Sequence, residues 1–131
     1  MFEGRLQSLL EEPKIVYVTT VQPDGYPHTV PIWFKLDAGD IVMFTARSSR
    51  KTRNVLENAK GCLAIGGDPL GSPAYLIDGD ITVEEDPDKT TTALVTNHYE
   101  PPERAAEWLA DWADEDFVIL RLTPRRVTTV G

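Results

Sequence analysis

The sequence has few residues of the kinds that form disulfides or bind metals. Its 131 residues include one cysteine, Cys62, and two histidines, His28 and His98. A single cysteine cannot form an internal disulfide, and without partners at metal-ligand spacing it predicts no zinc site. We expect Cys62 to be a small buried side chain and each histidine to be structural or exposed. The sequence therefore predicts no metal site and no Ser-His-Asp or Cys-His arrangement, and the catalytic residues stay unknown.

The sequence also lacks long apolar runs and a broad excess of positive charge. No stretch approaches the roughly 20 apolar residues that cross a bilayer, and residues 1–10 lack the order of a secretory signal. We therefore expect a cytoplasmic protein without a membrane partner. The formal net charge of −8, from 21 acidic and 13 basic side chains, argues against nucleic acid as a partner. The length and the 41% hydrophobic content predict one globular domain over residues 1–131.

Short apolar runs separated by turn residues predict a mainly β protein. The six predicted strands span residues 14–21, 28–36, 41–46, 61–67, 74–85 and 116–130. The connections between neighbouring strands are too short for parallel crossovers, so the sheet should be antiparallel. Pro31 removes one ladder donor and places its strand at an edge or a bulge, and Gly79 marks a bend or bulge. With helices at 50–58, 86–99 and 101–113, this order predicts a closed or partly split barrel with peripheral helices.

One cluster runs against the overall charge, because four basic residues occur within seven positions: Arg47, Arg50, Lys51 and Arg53. Ser48 or Ser49 can cap the helix that follows, with Val55 and Leu56 facing the core. Free N–H groups and basic side chains at a helix start favour a phosphate, which the hydroxyls of Thr45 and Ser49 could also contact. The alternative is a solvated helix face that pairs with acidic residues.

The second half of the chain contains an apolar stripe at helical spacing, formed by Ala105, Trp108, Leu109 and Trp112. Such a stripe is more typical of a core or a subunit contact than of a cofactor site. The three tryptophans, which include Trp33, fit either a core or an interface.

From about Ile15 to Val127 the sequence resembles the pyridoxamine 5′-phosphate oxidase-like split β-barrel superfamily. Within it, the sequence is most similar to the single-domain oxidoreductases of the B type that use the deazaflavin coenzyme F420. The resemblance rests on a strand, an Asp-Gly turn, "PHTVPIWF", and "FTARSSRKTRNVL". It implies a six-stranded antiparallel split β-barrel, of the kind that binds FMN, which forms a homodimer with a flavin or deazaflavin in a groove at the interface.

The resemblance also implies a set of cofactor-binding residues. Arg50 and Lys51 match the positions that hold the cofactor's phosphate, and the strand "VPIWF" matches the one whose backbone lies along the ring. Tyr75, after the loop at 68–73, lies near a further family contact. The complete set is Val30, Pro31, Ile32, Trp33, Phe34, Phe44, Thr45, Ala46, Ser49, Arg50, Lys51 and Tyr75. The negatively charged tail of F420 could meet Arg47, Arg53, Arg125 and Arg126.

The function that the resemblance implies is an F420-dependent oxidoreductase. It would transfer a hydride between reduced deazaflavin and a small organic acceptor, conjugated or quinone-like. One alternative is an FMN-dependent flavoprotein similar to pyridoxamine 5′-phosphate oxidase. Another is a module that binds or stores flavin or haem without turnover.

Overall fold

A computed structural model describes residues 2–68 and 70–131. Met1 and Pro69 lie outside the described residues, and Pro69 belongs to the predicted loop at 68–73. The predicted strand at 74–85 is found at those bounds, and the helix at Gly4–Leu10 was not predicted. The elements are α1 (Gly4–Leu10), β1 (Val16–Val21), β2 (Pro27–Ile32), β3 (Lys35–Asp37), β4 (Asp40–Ala46), α2 (Arg50–Glu57), β5 (Lys60–Gly66), β6 (Ala74–Glu85), α3 (Thr90–Tyr99), α4 (Pro102–Asp111) and β7 (Phe117–Val130).

The seven described strands form one antiparallel sheet in the order β2-β1-β5-β6-β7-β4-β3. The two edge strands, β2 and β3, follow each other in the chain and are separated only by Trp33 and Phe34. The sheet must therefore curl until its two edges lie near each other, which gives a barrel that is split instead of closed. The predicted fold class, mainly β with an antiparallel split barrel and peripheral helices, is confirmed.

The strand count differs from the prediction, because the expected strand at 28–36 is two strands, β2 and β3. The break falls at Phe34, whose backbone N–H donates to the hydroxyl of Tyr99 (3.0 Å) instead of to a strand. Tyr99 is 65 residues away in the chain, so no local pattern could show this interruption. The sheet consequently has seven strands and not six.

The expected irregularity at Gly79 is confirmed as a shift of register between β6 and β7 at Asp78 and Gly79. A Cβ atom at Gly79 would lie 2.3 Å from the carbonyl oxygen of Thr123. The strands approach so closely here that a side chain cannot be accommodated.

The barrel interior is filled by aliphatic side chains that alternate along the strands. In β7, the alternate residues Val118, Leu120 and Leu122 face this core. In α2, Val55 is buried, but Leu56 is 68% exposed and does not face the core. The prediction for Leu56 was wrong because the buried face of the helix is formed by Thr52, Asn54 and Val55.

Helices α3 and α4 pack outside the barrel. Val95 of α3 forms a second apolar cluster with Val42 of β4 and Ile119 of β7. The start of α3 is capped by Asp86, which is largely buried and accepts hydrogen bonds from the N–H groups of Thr91 (3.2 Å) and Thr92 (2.8 Å). These contacts fix the helix pair to the outer face of the sheet. Within the described residues, no helix combines the length and the apolar character needed to cross a membrane.

Candidate cofactor site

The turn from β4 into α2 is fixed by hydrogen bonds between its two ends. Ser49 is the N-cap of α2, and its Oγ accepts from the N–H of Thr52 (3.2 Å). The N–H of Ser49 and the hydroxyl of Thr52 both donate to the carbonyl of Ala46, at 3.0 and 2.9 Å. Of the two serines considered from the sequence, the structure selects Ser49 as the cap. The end of β4 and the start of α2 therefore form one rigid unit.

The start of α2 has unused hydrogen-bond donors. In the described part of the chain, the backbone N–H groups of Arg50 and Lys51 have no acceptor. The first turn also contains no acidic side chain that could balance the positive end of the helix dipole. This arrangement favours the binding of an anion.

Lys51 and Arg50 add positive charge at the same place. Lys51 is half-buried, and this burial lowers the pKa of its ammonium group from the ordinary lysine value. Arg50 is exposed. Neither side chain lies within ion-pair distance of a described carboxylate, although acidic residues outnumber basic ones in the chain by 21 to 13. A half-buried cation without a counter-ion is unfavourable for folding and suited to receive an anionic ligand.

Arg47, in the same cluster, is engaged elsewhere. Its guanidinium binds both carboxylate oxygens of Glu85 (2.6 and 2.9 Å) and donates to Asp116 (2.9 Å). These hydrogen bonds raise the pKa of Arg47 above its ordinary value. Arg47 thus ties the β4–α2 turn to β6 and to the start of β7, while Arg53 remains exposed without a described carboxylate partner.

The other arginines considered for a charged tail also have partners. Arg125 donates to Asp80 (2.7 Å) and Arg126 donates to Asp78 (2.9 Å) across the β6–β7 pair. Of the four tail candidates, only Arg53 is therefore found without an ion pair in the described residues.

The open edge of strand β2 presents mainly backbone groups to a ligand. It pairs with β1 alone, so the groups along its other side face the open edge of the sheet. The side chains of Val30 and Ile32 pack against the barrel core, and Pro31 is exposed opposite Tyr17. A ligand along this edge would meet mainly the backbone of β2, with Pro31 providing no N–H donor.

Tyr99 fixes the link that follows β2. Its hydroxyl accepts from the N–H of Phe34 and donates to the carbonyl of Lys14 (2.7 Å), and its ring stacks on Trp33 with 4.8 Å between centroids. Burial raises the pKa of Tyr99 to about 12, so the hydroxyl keeps its proton at neutral pH. Phe34 itself is fully buried, and only its backbone can lie near a ligand. Sequence reasoning missed Tyr99, whose only local signal is an aromatic residue at the end of a helix.

An aromatic cavity of about 310 Å³ lies beside this link and is lined by Trp33, Phe44, Trp108 and Trp112. All three tryptophans of the chain thus line one cavity. Trp108 and Trp112, two residues of the stripe that the sequence suggested as core or subunit contact, lie here, and the ring of Trp112 lies 5.5 Å from that of Phe44 between centroids. Phe44 precedes Ala46 by two residues, or about 7 Å of strand. The aromatic cavity therefore lies near the turn from β4 into α2.

Tyr75 is not brought to the start of α2. It pairs with Ile65 and Thr129 at the beginning of β6, whereas Arg47 of the β4–α2 turn binds Glu85 at the end of that strand. Ten residues of strand separate Tyr75 from Glu85, about 33 Å of chain. The other proposed side chains near α2, those of Thr45 and Ser49, are partly buried at the turn itself.

Cys62 and His98 carry groups of the kind that act as acids, bases or nucleophiles, but neither is placed to do so here. Burial and a hydrogen bond with Asp78 raise the pKa of Cys62 to about 11, so its thiol is not activated. Burial, together with the charge of Lys35, lowers the pKa of His98, whose Nε2 is buried and has no partner in the described residues. Neither lines the aromatic cavity.

Comparisons with known proteins identify a family and a fold. The sequence profile of the pyridoxamine 5′-phosphate oxidase family matches residues 2–131. No curated protein matches the chain. Among solved structures, the chain is similar to an F420 reductase at 24% identity and a TM-score of 0.76, with 97% of this chain and 98% of the other covered.

Two other solved structures share the fold. One is a conserved hypothetical protein of Mycobacterium tuberculosis, with 17% identity, a TM-score of 0.79, and coverage of 100% of this chain and 85% of the other. The second is HutZ, the haem storage protein of Vibrio cholerae, with 19% identity, a TM-score of 0.73, and coverage of 98% and 94%. At these identities the likeness concerns the fold alone.

Proposed function

This chain belongs to the pyridoxamine 5′-phosphate oxidase family, and from that premise we propose that it is an oxidoreductase that binds coenzyme F420. Its acceptor is a small organic molecule. The observation that carries the proposal is the start of α2, where Lys51 is half-buried without a counter-ion beside two unused backbone N–H groups. The similarity in fold to an F420 reductase supports the choice of cofactor.

The residues present fit the phosphate of such a cofactor. Two backbone donors, the ammonium of Lys51 and the guanidinium of Arg50 supply charge-assisted hydrogen bonds that a phosphate can accept. Arg50 suits bidentate contact, and Lys51 acts as a point charge whose pairing removes an unfavourable isolated cation. The hydroxyl of Ser49 is already used to cap the helix, so we assign it a positioning role at the turn.

The fold would orient the rest of the cofactor along the open edge of β2. When bound, a reduced deazaflavin supplies a hydride, and the acceptor takes up a proton from solvent. The backbone from Val30 to Phe34 positions the ring system, and Tyr99 holds Trp33 and Phe34 in place. We assign no acid or base to this chain, because orientation of the reactants suffices when the cofactor carries out the transfer and solvent supplies the proton.

We further propose that the protein works as a homodimer. Next to the open edge of β2, the exposed fractions of Ile15 and Tyr17 are 53% and 50%. A second copy that covered this edge would bury apolar surface and enclose the cofactor between subunits. The compartment that we propose is the cytoplasm, and the whole chain would act as one cofactor-binding domain.

An FMN-dependent enzyme is the second candidate, and one observation favours it. Arg47, Arg125 and Arg126 are already paired with carboxylates, so of the four residues considered for the charged tail of F420 only Arg53 is unpaired in the described residues. If the tail contributes little, the same phosphate site serves both cofactors.

The test is equilibrium binding of F420, of FMN and of haem to the purified protein and to Lys51→Glu. Loss of a charge-assisted hydrogen bond contributes about 1.5–3 kcal/mol, so we expect Lys51→Glu to weaken F420 binding by about 10- to 150-fold. The matched control is Lys60→Glu, which makes the same charge change at an exposed residue of β5. Equal affinity of Lys51→Glu and Lys60→Glu would refute the phosphate site. Tighter binding of FMN would favour the second candidate, and a Soret band with neither flavin bound would favour haem storage.

A further inference from the structure

We propose that a buried polar cluster between α2 and the β1–β2 hairpin binds a single water molecule, and that this water joins α2 to β2. The buried polar cluster consists of Thr20 of β1, His28 of β2 and Asn54 of α2. The water site rests on the cluster itself, whereas its consequence for cofactor binding rests on the proposed function.

The sheet and α2 bring the three side chains together. Thr20 and His28 lie directly opposite each other in the β1–β2 ladder, so their side chains project from the same face with Cβ atoms about 4.5–5.5 Å apart. The side-chain amide of Asn54 donates to the hydroxyl of Thr20 (3.0 Å). Thr20 therefore has both other members of the buried polar cluster as neighbours.

Each member of the buried polar cluster has hydrogen-bonding capacity that the described residues do not use. Nδ1 of His28 and Oδ1 of Asn54 are both buried without a partner among them. The hydroxyl of Thr20 accepts the bond from Asn54 and, within the described part of the chain, donates none. Thr20 and Asn54 are almost completely buried, with exposed fractions of 0% and 1%. Because burial of an unpaired polar group is unfavourable, three such groups in one place indicate a bound molecule that contacts all of them.

The chemistry of the buried polar cluster selects a small neutral molecule. Oδ1 of Asn54 can only accept, and the free hydroxyl proton of Thr20 can only be donated, so the bound molecule must both donate and accept. Water does both and typically makes about three hydrogen bonds at buried sites. The cluster contains no carboxylate, so a cation held there would be a buried charge without a counter-ion.

The bound water extends a link between two elements of the proposed cofactor site. Among the described residues, the bond from Asn54 to Thr20 is the one side-chain hydrogen bond between α2 and the β1–β2 hairpin, and it stops at β1. The water carries this link to His28 and thus to β2. The proposed phosphate site lies at the start of α2, and the edge assigned to the cofactor ring belongs to β2. The water site therefore fixes the spacing between the two halves of the cofactor site.

The water site is tested directly by a crystal structure of the full chain at a resolution that shows ordered water. We expect one water molecule at about 2.7–3.2 Å from Nδ1 of His28 and from the side-chain amide of Asn54. A direct hydrogen bond between these two side chains, or pairing of both atoms with other protein groups, would overturn the proposal. A lack of electron density between them would overturn it as well.

A double-mutant cycle tests whether the water couples His28 to Asn54. The variants are His28→Phe, which keeps a ring, Asn54→Leu, and the double substitution. Effects of independent sites on the unfolding equilibrium constant multiply to within about 2-fold. Because either single substitution already removes a partner of the water, we expect the constant of the double variant to lie below the product by about 3-fold or more. Agreement with the product would overturn the link.

The matched control for the cycle combines Asn54→Leu with Thr29→Val. Thr29 adjoins His28 on β2, but its exposed side chain projects from the opposite face of the sheet, where its hydroxyl pairs with that of Thr19 (2.8 Å). Its effect should simply multiply with that of Asn54→Leu. Equal coupling in this pair would overturn a link through His28, because the cycle would then report on the whole strand. Thr20→Val replaces Asn54→Leu in both cycles if the latter does not fold.

The consequence for the cofactor is tested with two ligands, inorganic phosphate and F420. Phosphate needs only the start of α2, whereas F420 also needs the edge of β2. We expect His28→Phe to weaken F420 binding by about 2- to 12-fold, which corresponds to the contribution of one hydrogen bond, and to leave the affinity for phosphate unchanged. Equal effects on both ligands, or no effect on F420, would overturn the positioning role of His28.

Failure of the proposed function is distinguishable from failure of the water site. If the parent protein does not bind F420, the proposed function and the positioning role of His28 both fail. The crystal structure and the double-mutant cycle need no cofactor, so they support or overturn the water site in either case.

Discussion

The hydroxyl of Tyr99 gives the sharpest stability prediction. In Tyr99→Phe, the buried N–H of Phe34 loses its acceptor and the carbonyl of Lys14 loses its donor. Each hydrogen bond contributes about 0.5–1.5 kcal/mol, and a buried donor left unsatisfied costs about 1–3 kcal/mol, so we expect a loss of about 2–3 kcal/mol. The ring remains, so the stacking on Trp33 should persist.

The expected loss in the free energy of unfolding can be converted into a shift of the melting temperature, Tm. An unfolding entropy of about 2.1 cal/mol/K per residue over 131 residues gives a shift of about 4 °C per kcal/mol. Tyr99→Phe should therefore lower the Tm by about 8–12 °C in a calorimetric scan. Tyr26→Phe is the control, because Tyr26 is 71% exposed and its hydroxyl has no partner in the described residues. If both variants melt within about 2 °C of the parent, the hydroxyl does not stabilise the link between β2 and β3.

Two further predictions concern charge. Because burial lowers the pKa of Lys51, Lys51→Met should raise the Tm of the ligand-free protein at neutral pH. This gain in Tm should shrink as the pH rises toward the ordinary pKa of lysine, because the folded parent protein then also loses the charge at Lys51. The control is Lys60→Met, at an exposed site. Equal Tm shifts of the two variants would refute the argument. Asp86→Ala removes the acceptor for the N–H and the hydroxyl of Thr92 and should cost about 1–2 kcal/mol in denaturant unfolding. Asp88→Ala, at an exposed residue, should change stability by less than about 0.5 kcal/mol, and a similar loss in both variants would contradict the role of Asp86.

The sequence predicted those parts of the fold that depend on local patterns. A serine cap at Ser48 or Ser49, found at Ser49, and the irregularity at Gly79 each follow from a few neighbouring residues. The split of the second strand did not, because its cause is the hydroxyl of Tyr99 in a distant helix. Leu56 was misplaced for a related reason: two adjacent apolar residues on a helix cannot show which of them faces inward.

The candidate site was likewise predictable only where it depends on neighbouring residues. The basic cluster and its cap could be read from the order of residues, and the structure places Arg50 and Lys51 together at the start of α2. The ion pairs of Arg47 could not, since Glu85 and Asp116 lie 38 and 69 residues away. The aromatic cavity was also beyond local reasoning, because it forms only where Trp108 and Trp112 meet Trp33 and Phe44, which lie more than 60 residues earlier in the chain. Contact with the cofactor stays a prediction for every residue of the site.

The position of β7 in the sheet has a consequence for how the chain folds. β7 is the last element in sequence, yet it lies between β6 and β4, and Met43 pairs with Leu120. During synthesis from the N-terminus, the hairpin of β3 and β4 must wait for about 70 further residues before it can join the other strands. Such distant pairings slow folding, and they leave one edge of the hairpin open to other chains until β7 arrives. A ribosome-bound chain that stops before Phe117 should therefore depend on chaperones.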